Sequence, residues 1–345
     1  MKGNDMRRTT AIASASLAVL LAVAGCSRLG ANAGYKTDTE PVSQEQAIAL
    51  IQQTATKDAA QAGASESDVV ALVEAATSIK KVPSGMAAEV GNATNDGPEA
   101  AWDGCLAEET DTQVSDECVY GDKTAKKTVV LYGDSHAGMW ESALDVAGKR
   151  AHWKLVLLAK PACAVPMLHF WLETTQRQNT ECDTWHTWAT GRINELKPDL
   201  VVLTSLFTGP RDFKKKDITE AEWSTGMTET IDKVKKSGAK VVILGDMPYL
   251  EQSAPECLAA HTDDVKSCAT AAKTAVNTEH GTEEKKTAEN AGAKYVDTTK
   301  WFCSTMCEPI IGTMVVYQNQ YHITGVYSRY LSGVVASSIG LTSSS

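Results

Sequence analysis

The chain has 345 residues, 43% of them hydrophobic, with 33 Lys and Arg against 43 Asp and Glu and a net charge of −10. That is enough chain to bury a core unaided, and the acidic balance excludes a nucleic-acid partner: the basic runs "KKK" (214–216) and "KVKK" (233–236) read as solvated faces. There is neither a glycine-rich phosphate loop nor a Cys/His cluster at zinc spacing, so no cofactor and no metal is expected.

Residues 1–26 read as a bacterial export signal. Lys2, Arg7 and Arg8 precede the apolar "AIASASLAVLLAVAG", which is too short for a comfortable membrane span. The segment ends in "VAGC", which resembles a lipobox and makes Cys26 the lipidated N-terminus of a protein held on the outer face of the cell membrane without spanning it. The segment carries three basic residues and one acidic, so the remaining chain has a charge of −12. Residues 27–43 are small and polar without periodicity, as a flexible tether requires. An extension follows over 44–127. Two helical patterns, 43–63 and 65–79, each open on Ser with Gln or Asp three residues later. From Lys81 to Lys127 periodicity is lost, and a loop stapled by cysteines is expected.

From residue 128 to 341 short Val/Leu-rich runs alternate with longer amphipathic ones. The runs 128–133, 154–159, 199–205, 240–246 and 293–297 lack polar alternation, as strands buried on both faces do. Helical patterns over 182–196 and 221–238 lie between them, the second expected to stop at Gly238. Strand and helix in alternation predict a parallel sheet covered on both sides. The eight cysteines after Cys26 fit disulfides in an oxidising compartment. In chain order they pair as Cys105–Cys118, Cys163–Cys182, Cys257–Cys268 and Cys303–Cys307, although eight cysteines allow about 105 connectivities.

In such sheets ligands bind at the carboxyl ends of the strands, where "GDSH" (133–136) ends the first run. Ser135 is therefore either a nucleophile or the N-cap of a helix starting near Ala137. "GDSHA" after a hydrophobic strand, with "YHIT" opening the last helix, resembles the SGNH/GDSL hydrolase superfamily. "ECVYGD", "KPAC", "CDTW", "GDMP" and "WFCSTMCEPIIGTMVVYQNQYHIT" extend the likeness, over roughly 70–340, to SGNH domains associated with membrane acyltransferases of the type 3 family. The resemblance implies a three-layer α/β/α, flavodoxin-like fold. It also implies that Ser135 is the nucleophile, that His322 is the base, and that the substrate is an ester-bearing surface glycan or glycolipid, with a membrane acyltransferase as partner.

The family's acid stands three residues before the histidine, where this chain has Asn319. An asparagine Oδ1 accepts the imidazole Nδ1–H but brings no charge; Asp297, at the end of the last strand, is the other acid considered. The Gly and Asn oxyanion donors of the family are absent from "KPAC" and "LTSLF", leaving the Ser135 N–H with Thr204 or Ser205. Asp134 reads as the residue that holds the turn, His136 as packing or hydrogen-bonding beside the site, and Trp140, Trp185 and Trp188 as core. The leading function is a lipid-anchored esterase or O-acyltransferase working through an acyl-Ser135 intermediate. The alternative, favoured by Asn319, is a catalytically weak binding or accessory lipoprotein.

Overall fold

The computed structural model describes residues 63–115, 118–207, 212 and 214–341. The signal segment, Cys26, the tether and the first helical pattern lie outside the described residues. The second pattern forms α1 (Glu66–Ala76), with Ser65 and Asp68 exchanging hydrogen bonds in a capping box. The stapled segment adds α2 (Ala87–Asn92) and β1 (Val119–Gly121). Then come β2 (Lys127–Gly133), α3 (Ser135–Ala151), β3 (Trp153–Ala159), α4 (Thr180–Leu196), β4 (Leu200–Thr204), α5 (Glu220–Lys235) and β5 (Lys240–Leu244). The chain closes with α6 (Ala254–Ala260), α7 (Thr278–Asn290), β6 (Lys294–Val296), α8 (Gly325–Tyr330) and α9 (Ser332–Ile339).

The sheet order is β1-β3-β2-β4-β5-β6, parallel throughout except for β1, which runs antiparallel to β3 with Val119 opposite Val156. This edge strand falls in the segment expected to be loop. It has three residues, too few to show a period, and its position comes from the ladder with β3 rather than from its own pattern.

Successive side chains of a strand face opposite sides, and here both sides are core. Val129, Leu131, Leu155, Leu157, Val202 and Leu244 face α3, α8, α9 and α1. Val130, Tyr132, Leu158, Val201, Leu203 and Ile243 face α4, α5 and the inner side of α7. Uninterrupted apolar runs follow directly, since no strand position in the middle of the sheet meets water. Trp140 and Trp185 are fully buried in these two layers. α5 is capped by Thr219 with Glu222, and it ends at Lys235, three residues before Gly238, whose φ of +86° lets the chain turn into β5.

Four disulfides join Cys105 to Cys118, Cys163 to Cys182, Cys257 to Cys268 and Cys303 to Cys307. Cys163, Cys182 and His186 are grouped tightly, but both sulfurs are committed to a disulfide and the imidazole Nε2–H is placed to donate to the Ala164 carbonyl at 2.8 Å. Among the described residues no helix is long and apolar enough to cross a membrane. Lys160, buried in "KPAC", donates to the carbonyls of Glu108 and Glu109 at 2.6 and 2.9 Å, binding the stapled segment to the carboxyl end of β3.

The carboxyl ends of β2 and β4 touch at Gly133, where an added Cβ would collide with the Thr204 carbonyl oxygen and press on Ala137. Gly133→Ala is therefore expected to destabilise the protein by about 1–3 kcal/mol, read as a fall in the urea midpoint at unchanged slope. An unchanged midpoint would show that the strand ends separate freely.

Candidate active site

The turn from β2 into α3 is held by Asp134. Its Oδ1 accepts the His136 N–H at 2.8 Å and its Oδ2 accepts the Leu206 N–H at 2.9 Å, so one buried carboxylate caps α3 and ties it to the end of β4. The N-cap is thus Asp134, not Ser135, which is the first residue of the helix. Relieved of capping, the Ser135 hydroxyl lies 2.9 Å from His322 Nε2.

His322 arrives on the loop before α8, a helix capped by Thr324. The loop is closed by the Gln318 N–H donating to the His322 carbonyl at 2.8 Å and is tied to the segment after β5 by the Leu250 N–H donating to Gln320 at 2.9 Å. Asn319 Oδ1 accepts the N–H groups of Tyr321 and His322, both at 2.9 Å. Those two donors fix the amide orientation, so it is Nδ2 that faces His322 Nδ1, at 3.1 Å. The expected arrangement, Oδ1 accepting an Nδ1–H, is therefore not adopted. An amide donor at Nδ1 favours the tautomer that carries its proton on Nε2, pointing at Ser135.

His136, next in the chain after Ser135, is fully buried, with Nδ1 2.5 Å from Asp246 Oδ1. Asp246 belongs to "GDMP" at the end of β5 and also accepts the Met247 N–H at 2.8 Å, the Phe207 N–H at 3.3 Å and the Tyr249 hydroxyl. Burial pushes its carboxyl up, but His136 and these donors outweigh it and hold the pKa below the usual range. Burial likewise pushes His136 down, and Asp246 more than reverses that. The rings of His136 and His322 are 5.2 Å apart, edge to face. His322 is pushed down to about 4 by burial and then by the charge of His136, with Asp246 opposing. The sequence reading put His136 beside the site but missed Asp246, although an acid at the carboxyl end of a predicted strand was a usable signal.

The other candidates are dispersed. Thr204 and Ser205 lie buried at the end of β4, beside β2; the Ser205 hydroxyl accepts the Val165 N–H at 2.7 Å. Asp297 accepts the Thr299 N–H at 2.9 Å and lines a cavity of about 420 Å³ with Phe207, Asp246, Tyr249, His280 and Tyr295, which neither Ser135 nor His322 lines. It is not among the partners of His322.

A family model described as "SGNH domain (fused to AT3 domains)" matches residues 104–337. The chain belongs to this family. It is accordingly a member of a class of ester-acting hydrolases and acyltransferases, and its four disulfides fit the extracytoplasmic side of the membrane. Among solved structures, it is similar to a lipopolysaccharide acetyltransferase periplasmic domain from Salmonella ser. Paratyphi A, at 16% identity and a TM-score of 0.51, over 64% of this chain and 84% of that one. It is also similar to the crystal structure of a "putative acylhydrolase" from Bacteroides fragilis, at 16% identity and a TM-score of 0.37, over 65% of this chain and 91% of that one. The first likeness bears out the three-layer α/β/α SGNH fold. No curated protein matches the chain.

Proposed function

We propose that this SGNH domain is an extracytoplasmic, lipid-anchored serine esterase or O-acyltransferase acting on ester groups of a surface glycan or glycolipid through an acyl-Ser135 intermediate. The observation that carries the reading is the 2.9 Å contact between Ser135 Oγ and His322 Nε2 at the carboxyl end of the sheet. In this mechanism His322, in the tautomer that carries its proton on Nδ1, takes the hydroxyl proton at Nε2 as Ser135 attacks the ester carbonyl, then returns it to the leaving alcohol. The Ser135 N–H, at the start of α3, and a hydroxyl from Thr204 or Ser205 receive the developing oxyanion. Water or a sugar hydroxyl resolves the acyl-enzyme. The anchor is Cys26, and a membrane acyltransferase of the type 3 family is the partner that the family association suggests.

The test is labelling by a fluorophosphonate together with p-nitrophenyl acetate turnover, using Ser135→Ala as control. Label on Ser135 in the wild type and none in the variant is expected; equal rates for both would reject the catalytic reading. One observation favours a second reading. With Asn319 Nδ2 directed at His322, the resting tautomer is poor for proton abstraction, which suits an accessory lipoprotein that retains the fold and little rate.

A further inference from the structure

The acid position before His322 holds no carboxylate, yet a buried, ionised carboxylate lies one residue further away. We propose that Asp246, acting through His136, sets the basicity of His322 in place of the missing acid. The inference rests on Ser135 and His322 being the reacting pair, and neither Asp246 nor His136 needs to touch substrate; they are positioning residues.

The geometry joins Asp246 directly to the residue after Ser135. Its carboxylate is met by four donors, one of them His136 Nδ1 at 2.5 Å. His136 lies in the first turn of α3, directly after Ser135, and is fully buried. The groups facing His136 come from three directions: Asp134 from the end of β2, Asp246 and Tyr249 from the segment after β5, and Tyr321 and His322 from the loop before α8. His322 is the only histidine among them.

The pair has two charge states. With both ring nitrogens of His136 protonated, it is neutral overall and the imidazolium stands next to the ring that must accept the serine proton. That state opposes attack, because a second cation would form 5.2 Å away. With a single proton on Nδ1, the pair carries a charge of −1 and favours the His322 imidazolium. The proton lost from His136 goes to solvent, and in the His322 tautomer protonated on Nδ1 the Ser135 proton then passes to the free Nε2 as the Oγ–carbonyl bond forms. Reactivity of Ser135 thus rises with pH as His136 gives up its second proton, and because Asp246 holds that proton, the rise falls at higher pH than for an ordinary imidazole.

His136→Gln keeps a donor for Asp246 and cannot become a cation. Fluorophosphonate labelling of Ser135 between pH 5 and 9 is expected to show an alkaline rise in the wild type. In His136→Gln this rise moves by more than about one pH unit to the acid side, since a unit corresponds to a tenfold change in proton affinity. Asp246→Asn, a second variant in case the first does not fold, is expected to shift it in the same direction, because the proton on His136 loses its partner. The pH titration of His322 followed by NMR needs no reactivity: its midpoint is expected to rise by about one unit or more in His136→Gln. Coincident labelling profiles, or an unmoved His322 midpoint in a folded variant, would overturn the inference. Absence of labelling at every pH with a moved His322 midpoint would instead reject the nucleophile reading and leave the coupling intact.

Discussion

Asn319→Asp is expected to raise the rate of Ser135 phosphonylation by about 10²–10⁴-fold, the inverse of the loss seen when a serine-protease aspartate becomes asparagine. One carboxylate oxygen would keep the N–H groups of Tyr321 and His322, as Asn319 Oδ1 does now at 2.9 Å. The other would replace Nδ2, 3.1 Å from Nδ1, turning a donor into an anionic acceptor. That exchange inverts the tautomer, so Nε2 loses its proton and accepts the one on Ser135. It also places a negative charge against the imidazolium that forms. Measurement of labelling rates at equal protein concentration, with circular dichroism to show equal folding, reads the effect. A folded variant no faster than wild type would mean that proton transfer is not what limits Ser135.

His322→Ala is expected to lower the labelling rate by about 10²-fold, the low end for a positioned general base, because Asn319 keeps Nε2 mostly protonated. The decisive measurement is the double variant. If Asn319 acts only on the imidazole, Asn319→Asp gains nothing in the His322→Ala background, and the two changes are fully non-additive. An independent gain there would show that the carboxylate at 319 reaches Ser135 or the oxyanion by another route.

The fold was legible in the sequence wherever burial was two-sided. The strands begin and end within two residues of the apolar runs, because a residue such as Leu131 or Val202, covered by helices on one face while its neighbours are covered on the other, leaves no place for a polar residue. Ser65 marked its helix because a side-chain oxygen there answers a backbone N–H that would otherwise lack a partner, whereas the Thr219 and Thr324 caps came from the structure. What could not be read was the result of long-range pairing. β1 is three residues whose partner lies 37 residues onward, from Val119 to Val156. Asp246 and His136 are 110 residues apart, and neither neighbourhood names the other. The orientation of the Asn319 amide is subtler still: residue type permits either face, and the two backbone N–H groups of the loop decide it. The same residue that supplied the doubt in the sequence therefore supplies its physical cause in the structure.

The four disulfides carry a consequence for how the chain comes to be folded. Their partners are separated by 13, 19, 11 and 4 residues, and no bridge encloses or interleaves with another. Closing such short loops costs little chain entropy, so each thiol meets its native partner sooner than any competitor further along. A chain entering an oxidising compartment in order of sequence presents the first thiol of each of these four pairs with its mate as the next of the eight to emerge. Oxidation in order of emergence then gives the native connectivity directly, without the slow reshuffling through mixed disulfides that crossed patterns require.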